Sequence, residues 1–136
     1  MHRPGYLCAL LAAVPLFSGC LCSTPIQALW WAGARIDRLE PTRPSPIRVR
    51  LVGWLADDTD IPYLGALCSN HGSEYSELRE LDLSYSRITN EAIEGLRCDR
   101  EVCKTLRVLK LRGCNVTDGA VEKLRQELDP DCRIIR

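Results

Sequence analysis

The chain has 136 residues, of which 46% are hydrophobic and 26% are charged, a composition that suits one small globular domain. Its formal net charge is zero, so the composition excludes a general electrostatic attraction to nucleic acid. Eight cysteines are many for this length. Whether they pair depends on the compartment to which the N-terminus directs the chain.

Residues 1–19 have the organisation of a secretory signal peptide. Arg3 supplies the basic start, LCALLAAVPLF forms the apolar run, and Ser18 and Gly19 come directly before Cys20. The ending FSGC resembles a bacterial lipobox, which implies that Cys20 is lipidated and becomes the mature N-terminus. We therefore expect an exported chain that is anchored in the cell envelope by lipid, in a compartment where disulfides persist.

Two other interpretations of this segment stay open. Conventional cleavage would give a secreted or periplasmic protein, although Phe17 fits the usual small-x-small cleavage pattern poorly. The segment could also be retained as a membrane anchor, since no charge lies between Arg3 and Arg35. Pro15 and Pro25 weaken that possibility, because a spanning helix needs about 20 apolar residues in succession.

Residues 20–46 are predicted to form a linker and an N-terminal cap. TPIQALWWAG predicts a short helix with Thr24 as its N-cap, Pro25 at its first position and Gly33 as its stop. We expect Trp30 and Trp31 to be packing residues of this cap. ARIDRL predicts a strand, and EPTRPSP predicts a turn-rich loop.

A repeat domain is predicted from residue 47 to residue 136. IRVRLVG alternates with Ile47, Val49 and Leu51 on one face, the period of a strand with one buried side. LRELDLSYSRITNEAIEGL, from Leu78, and LRVLKLRGCNVTDGAVEKL, from Leu106, then align without gaps at a period of 28 residues, with eight of nineteen positions identical. L-x-x-L-x-L at a period of this length is the pattern of leucine-rich repeats.

Each repeat predicts a strand followed by a helix. Thr89 and Thr117 suit helix N-caps, and the apolar residues that follow have i, i+3 spacing. One such unit cannot bury its own apolar face, so about three must stack. A degenerate first unit is predicted around Leu51. Its Thr59 and Asp60 correspond to the TD of the second repeat, and it has three extra residues between the strand and the helix. DCRIIR predicts a last edge strand near Ile134.

RCDREVCK, between the two clear repeats, exceeds the length that shorter repeats of this kind need. Inserted loops are usually exposed and mobile, so Cys98 and Cys103 are candidates for a disulfide in an oxidising compartment. The alternative is that one of these cysteines packs inward while the other stays free.

Catalytic and metal-binding patterns are weak in this sequence. His71 lies in the polar stretch SNHGSEYSE without an activated nucleophile nearby, which indicates a solvated histidine. The C-x4-C spacing of CDREVC lacks the second ligand pair of a zinc site. We therefore predict a non-enzymatic protein that uses no metal and no cofactor.

The side chains that alternate with the leucines predict a binding surface. The repeat register places them in three rows across the strands, Arg48/Glu80/Val108, Arg50/Asp82/Lys110 and Val52/Ser84/Arg112. The candidate binding residues are Arg50, Glu80, Asp82, Tyr85, Lys110 and Arg112. The alternative is that this face is only solvated.

Residues 25–136 resemble bacterial leucine-rich repeat proteins whose units continue with (I/V)TD-x-(A/G)-(L/V) and which end in Pro-x-Cys-x-Ile, as Pro130, Cys132 and Ile134 do. Cys114 also resembles the cysteine of repeats in eukaryotic ubiquitin-ligase adaptors. The resemblance implies an α/β fold, a short leucine-rich-repeat solenoid of about three strand-helix units with an N-terminal helix and strand cap. It further implies a monomeric, non-enzymatic module that binds a protein partner. The alternatives are an exported thiol or redox protein using Cys98 and Cys103, and an adaptor fragment.

Overall fold

The computed structural model describes residues 25–69 and 74–136. Residues 1–19, Cys20, Thr24 and His71 lie outside these ranges, so the predictions made for them stay predictions. The described residues form five α-helices, one 3-10 helix and one five-stranded sheet. In chain order these are α1 (Pro25–Trp31), β1 (Arg35–Arg38), β2 (Ser45–Arg50), the 3-10 helix (Asp58–Asp60), α2 (Pro62–Ser69), β3 (Tyr75–Asp82), α3 (Asn90–Cys98), α4 (Arg100–Thr105), β4 (Val108–Lys110), α5 (Asp118–Glu127) and β5 (Arg133–Ile135).

The sheet has the strand order β1-β2-β3-β4-β5. β1 runs antiparallel to β2, and every later neighbour is parallel, with helices in each connection. Two of the predicted rows are confirmed as cross-strand partners. Arg48 pairs with Glu80, which pairs with Val108, and in the next row Arg50, Asp82 and Lys110 align in the same way.

The core lies between the sheet and its helices. Ile47, Val49 and Leu51 are fully buried, as the alternation in β2 predicts. The leucines at equivalent places in β3 and β4 and just beyond them are at most 2% exposed; they are Leu81, Leu83, Leu109 and Leu111. The apolar residues of the helical stripes are also buried; they are Ile93, Leu96, Val121 and Leu124. Side chains on the opposite face of the strands therefore face away from the core.

The predicted helix N-caps of the two clear repeats are confirmed. Thr89 accepts a hydrogen bond from the backbone N–H of Glu91, and Thr117 accepts one from Ala120. In the first unit the cap is Asp57 rather than Thr59, and it begins the 3-10 helix. Asp57 precedes Thr89 by 32 residues, the offset that also separates Leu51 from Leu83, so the extra residues follow the cap.

A series of polar contacts, here called the inter-unit ladder, joins neighbouring units at the residue after each cap. Asp58 accepts hydrogen bonds from both Thr89 N and Thr89 Oγ1 at 2.7 Å. Asn90 Oδ1 accepts one from Thr117 N at 3.0 Å. Asp118 Oδ1 accepts one from the Arg136 guanidinium. An amide or carboxylate at this position therefore links each unit to the next, which explains the Asn90/Asp118 similarity between the repeats.

The segment RCDREVCK differs from its prediction as an inserted loop. Residues Arg100–Thr105 form α4, because the Asp99 side chain caps its start by accepting a hydrogen bond from Val102 N at 3.2 Å. Cys103 is buried, and Cys98 is exposed. Both thiols are free in this structure. The Cys98–Cys103 disulfide stays a prediction. The mobile loop on which that prediction depended is a helix, α4, in the structure.

The cap has the predicted order of helix, strand, loop and strand, but its tryptophans are not packing residues. α1 ends before Gly33, whose φ of 81° is the left-handed conformation expected of a helix stop. Leu29 is the residue of α1 that is fully buried. Trp30 and Trp31 are 62% and 61% exposed, because they lie on the helix beside Leu29 and turn away from the core.

Candidate functional site

A shallow groove of about 230 Å³ lies on the face of the sheet that points away from the core. Strands β2, β3 and β4 each contribute charged or apolar side chains to it, at alternate positions. Arg50, Glu80, Asp82 and Lys110, four of the predicted binding residues, line this groove together. Arg48 and Val108 complete the lining, and Leu81 borders it.

Two ion pairs hold part of the groove in place. Arg48 Nε donates to Glu80 Oε2 at 2.5 Å across the β2–β3 pair. This hydrogen bond, together with the charge of Glu80, raises the pKa of Arg48, so the guanidinium stays protonated. Arg50 Nη2 donates to Asp37 Oδ2 of β1 at 2.9 Å. Both guanidinium groups are therefore fixed at the β2 side of the groove.

The β4 side of the groove carries a cation without such a partner. Lys110 forms no ion pair within residues 25–69 and 74–136. Asp82 is its cross-strand neighbour, yet Asp82 Oδ1 instead accepts a hydrogen bond from Ser84 N at 3.0 Å. Arg50 Nε is also buried without an acceptor in the described chain. The groove thus offers donor groups that the described part of the fold does not satisfy.

Two predicted binding residues lie outside the groove. Tyr85 is 64% exposed and follows the end of β3, and its backbone N–H donates to Arg112 O at 2.6 Å. Tyr85 has a φ of 57°, and Gly113, one repeat later, has a φ of 65°. A Cβ on Gly113 would lie 2.5 Å from Tyr85 Cδ1, so the ring of Tyr85 rests directly over this glycine.

The third predicted row is only partly exposed. Ser84 is 5% exposed, whereas Val52 and Arg112 on either side of it are exposed. The cause is local: β3 ends at Asp82, and the turn that follows brings Ser84 N back to the Asp82 carboxylate. The side chains that follow the ends of the strands therefore do not lie in line with the two confirmed rows.

A second cavity, of about 340 Å³, lies on the helical side between α2, α3 and α4. The side chains of Asp58 and Asp99 line it, but both already accept hydrogen bonds, from Thr89 and from Val102. A Cβ on Gly65 would lie 1.9 Å from Asp99 Oδ2, which shows how closely α2 approaches the start of α4. Sequence reasoning missed this cavity, because it forms only where helices of adjacent units meet.

The described residues contain no group of three or more His, Cys, Asp or Glu side chains placed to hold a metal ion. Within the same ranges, every helix is too short or too polar to cross a bilayer.

The cysteines have unequal environments. Burial raises the pKa of Cys103 from 9.0 to about 11, helped by the nearby charge of Asp99. Burial also raises the pKa of Cys68 to about 11. Cys103 Sγ donates to Leu96 O at 3.2 Å, a contact that favours the neutral thiol. Because the thiolate is the reactive form of cysteine, these two groups are poorly suited to thiol chemistry near neutral pH.

We expect stability to fall as the pH rises from about 9 to about 11. The unfolded chain ionises its thiols near their ordinary pKa of 9.0, whereas the folded chain keeps Cys68 and Cys103 neutral up to about pH 11. Stabilisation from these thiols is therefore complete below pH 9 and is lost progressively as the pH rises to about 11. Urea denaturation of reduced protein at pH 8 and pH 10 measures the change. Cys103→Ala should lessen this pH dependence, because it removes one of the two buried thiols.

Comparison with known proteins identifies the repeat type. A family model described as leucine-rich repeat matches residues 77–96 and 102–124. The first match runs from β3 into α3, and the second runs from α4 through β4 into α5. No curated protein and no solved structure matches the chain. Leucine-rich repeats are typically non-enzymatic and commonly bind protein partners. This chain therefore contains a leucine-rich repeat in two segments of a mixed α/β fold.

Proposed function

We propose that this chain is a non-enzymatic, envelope-anchored module that binds another protein through the charged groove of its sheet. In this proposal the strand-helix units form a short solenoid with an N-terminal cap, and Cys20 carries the lipid anchor. The observation that supports binding most directly is Lys110, a groove cation without an ion-pair partner in the described chain. Exposed sheet faces of repeat proteins are general binding surfaces.

The groove chemistry favours a particular kind of protein segment. Arg48 and Arg50 are already paired with carboxylates, whereas Lys110 has no such partner among the described residues. Val108 adds an apolar lining next to it. A segment with one acidic side chain beside an apolar residue would pair with Lys110 and cover Val108. The small groove volume limits the contact, so neighbouring loops with exposed Tyr85 and Arg112 complete the surface in this proposal.

Reversing the charge at Lys110 tests this function. We expect Lys110→Glu to reduce recovery of a partner from solubilised envelope proteins, because the variant repels the acidic segment that the groove would bind. Lys123→Glu is the matched control, since Lys123 is exposed on helix α5 rather than on the sheet. A partner retained equally by the wild type and both variants would place binding elsewhere on the molecule.

Anchoring has a separate test at Cys20. Several acyl chains hold a protein at a membrane stably, whereas a single chain gives marginal binding. We expect the full-length protein made in a bacterial host to partition into detergent, and Cys20→Ala to remain in the aqueous phase. Equal partitioning of the two proteins would remove lipidation from the proposal.

The thiol alternative has less support. Cys103 is buried with its pKa raised to about 11, and Cys98 is exposed at the end of α3. Cys103 is therefore poorly suited to be the attacking thiolate of a redox pair. The binding proposal is therefore preferred.

A further inference from the structure

An exposed apolar patch lies at the N-terminal end of the described chain. Trp30 and Trp31 of α1 are 62% and 61% exposed, and Leu55 is 46% exposed. Leu55 lies beside the end of α1, since a Cβ on Gly33 would be 3.7 Å from Leu55 Cδ1. Here these three residues, Trp30, Trp31 and Leu55, are called the cap patch.

The fold holds the cap patch outward. α1 packs through Leu29, which is fully buried, and Ala32, which is 5% exposed. The end of the helix is fixed by hydrogen bonds from Gly33 N to Trp30 O at 2.9 Å and from Ala34 N to Leu29 O at 2.9 Å. Turning the tryptophans inward would therefore require Leu29 to leave the core.

The chain that precedes α1 places the cap patch near any N-terminal anchor. Four residues lie between Cys20 and Pro25, and the five steps of a fully extended chain span at most about 3.6 Å each, or roughly 18 Å in total. Trp30 and Trp31 lie within the next seven residues, and a helix of that length is only about 10 Å long. A chain anchored at Cys20 therefore keeps both indoles close to the membrane surface.

The residue chemistry of this region fits a lipid surface. Tryptophan concentrates at the boundary between bilayer and water, because its ring is apolar and its indole N–H needs a polar partner.

We propose that the cap patch inserts into the headgroup region of the membrane that anchors the chain, and so fixes the orientation of the domain. The proposal rests on the proposed anchoring at Cys20. It adds a second point of contact, so the domain would lie with α1 on the bilayer rather than rotate freely on its linker.

Tryptophan fluorescence tests this contact in the full-length chain. The chain has three tryptophans, so Trp54→Phe leaves only the cap-patch pair, and a Trp30→Phe, Trp31→Phe double variant leaves only Trp54. Trp54 is the comparison residue: it is 49% exposed and directly precedes Leu55, but its ring lies 5.7 Å from the guanidinium of Arg87, which follows β3. Each variant is reconstituted into vesicles of zwitterionic and anionic phospholipids, with and without bromine on the acyl chains near the headgroups.

We expect the Trp54→Phe protein to emit at shorter wavelength in vesicles than the folded, non-lipidated Cys20→Ala form of the same variant in buffer, and to lose intensity with brominated lipid. The double variant should lose much less. The proposal would be overturned if brominated lipid quenched the two variants equally, or if it did not quench the cap-patch pair at all. A cap-patch emission that shifts with protein concentration in detergent would also overturn it, because a second copy would then cover the patch.

Flotation of the same vesicles separates this proposal from anchoring. Protein that floats while its cap-patch pair is not quenched retains the anchor and refutes insertion of the tryptophans. Protein that neither floats nor shows quenching refutes both. Flotation with quenching confined to the cap-patch pair supports both.

Discussion

Leu83→Ala and Leu111→Ala are each expected to lower the free energy of unfolding by about 2–5 kcal/mol, the range for truncating a buried leucine. Leu83 is fully buried and Leu111 is 2% exposed, at equivalent places just after β3 and β4. Chemical denaturation of each variant, followed by circular dichroism, measures the loss.

The neighbouring residue on the opposite face is the matched control. Lys110→Ala should cost under about 1 kcal/mol, since Lys110 forms no ion pair in the described chain and exposed charges contribute little to stability. A larger loss at Lys110 than at Leu111 would mean that the strand faces the other way, and that the groove is not on the solvent side.

Asp58→Ala is expected to have the next largest effect, because it removes the first step of the inter-unit ladder. The Asp58 carboxylate accepts hydrogen bonds from both Thr89 N and Thr89 Oγ1 at 2.7 Å. A hydrogen bond to a charged group contributes about 1.5–3 kcal/mol, so we expect a loss of at least that size. Thermal and urea denaturation measure it.

Two further variants separate the ladder from general effects of truncation. Asp58→Asn keeps an acceptor for one of the two donors and should lose less than Asp58→Ala. Glu94→Ala removes a carboxylate from an exposed position of α3 and should change stability little. If Asp58→Ala were no more damaging than Glu94→Ala, the contact with Thr89 would not stabilise the fold.

Sequence reasoning predicted the register of the strands that line the groove well where the repeats are clear. The alternation of leucines fixes which side chains of β3 and β4 face away from the core, and the shift of 28 residues fixes which of them are neighbours. Two residues, Leu51 and Leu83, were enough to extend that register to Arg48–Arg50 of β2, whereas the register shifts between Ser45 and Arg48. A period-2 pattern combined with a repeat length determines a parallel register, because each residue then has one possible partner.

Features that depend on how units meet were not predictable in the same way. The pairing of Arg50 with Asp37 depends on the length and path of the loop between β1 and β2, on which the repeat pattern has no bearing. Likewise, nothing in the alternation of apolar residues indicated that Asp58 would reach Thr89 in the next unit. Such contacts join residues far apart in sequence, and no local period encodes them.

The order of helix, strand and loop in the cap was predicted correctly, but the side of its helix that faces the core was not. Its helix and its glycine stop follow from local chemistry, since Pro25 and Gly33 act on their own backbone. Trp30 and Trp31 were expected inside because they are large and apolar. A seven-residue helix has one narrow buried stripe, and Leu29 already fills it.

The inter-unit ladder and the groove have no residue in common. Asp58, Asn90 and Asp118 set the spacing of the units from the caps of the helices, whereas the groove is lined from the strands. Lys110 and Val108 in the groove can therefore be exchanged without disturbing the ladder, whereas the Arg48–Glu80 pair also joins β2 to β3. A chain built in this way can acquire a new binding preference through a few substitutions on its sheet, and it can do so at little risk to its folding.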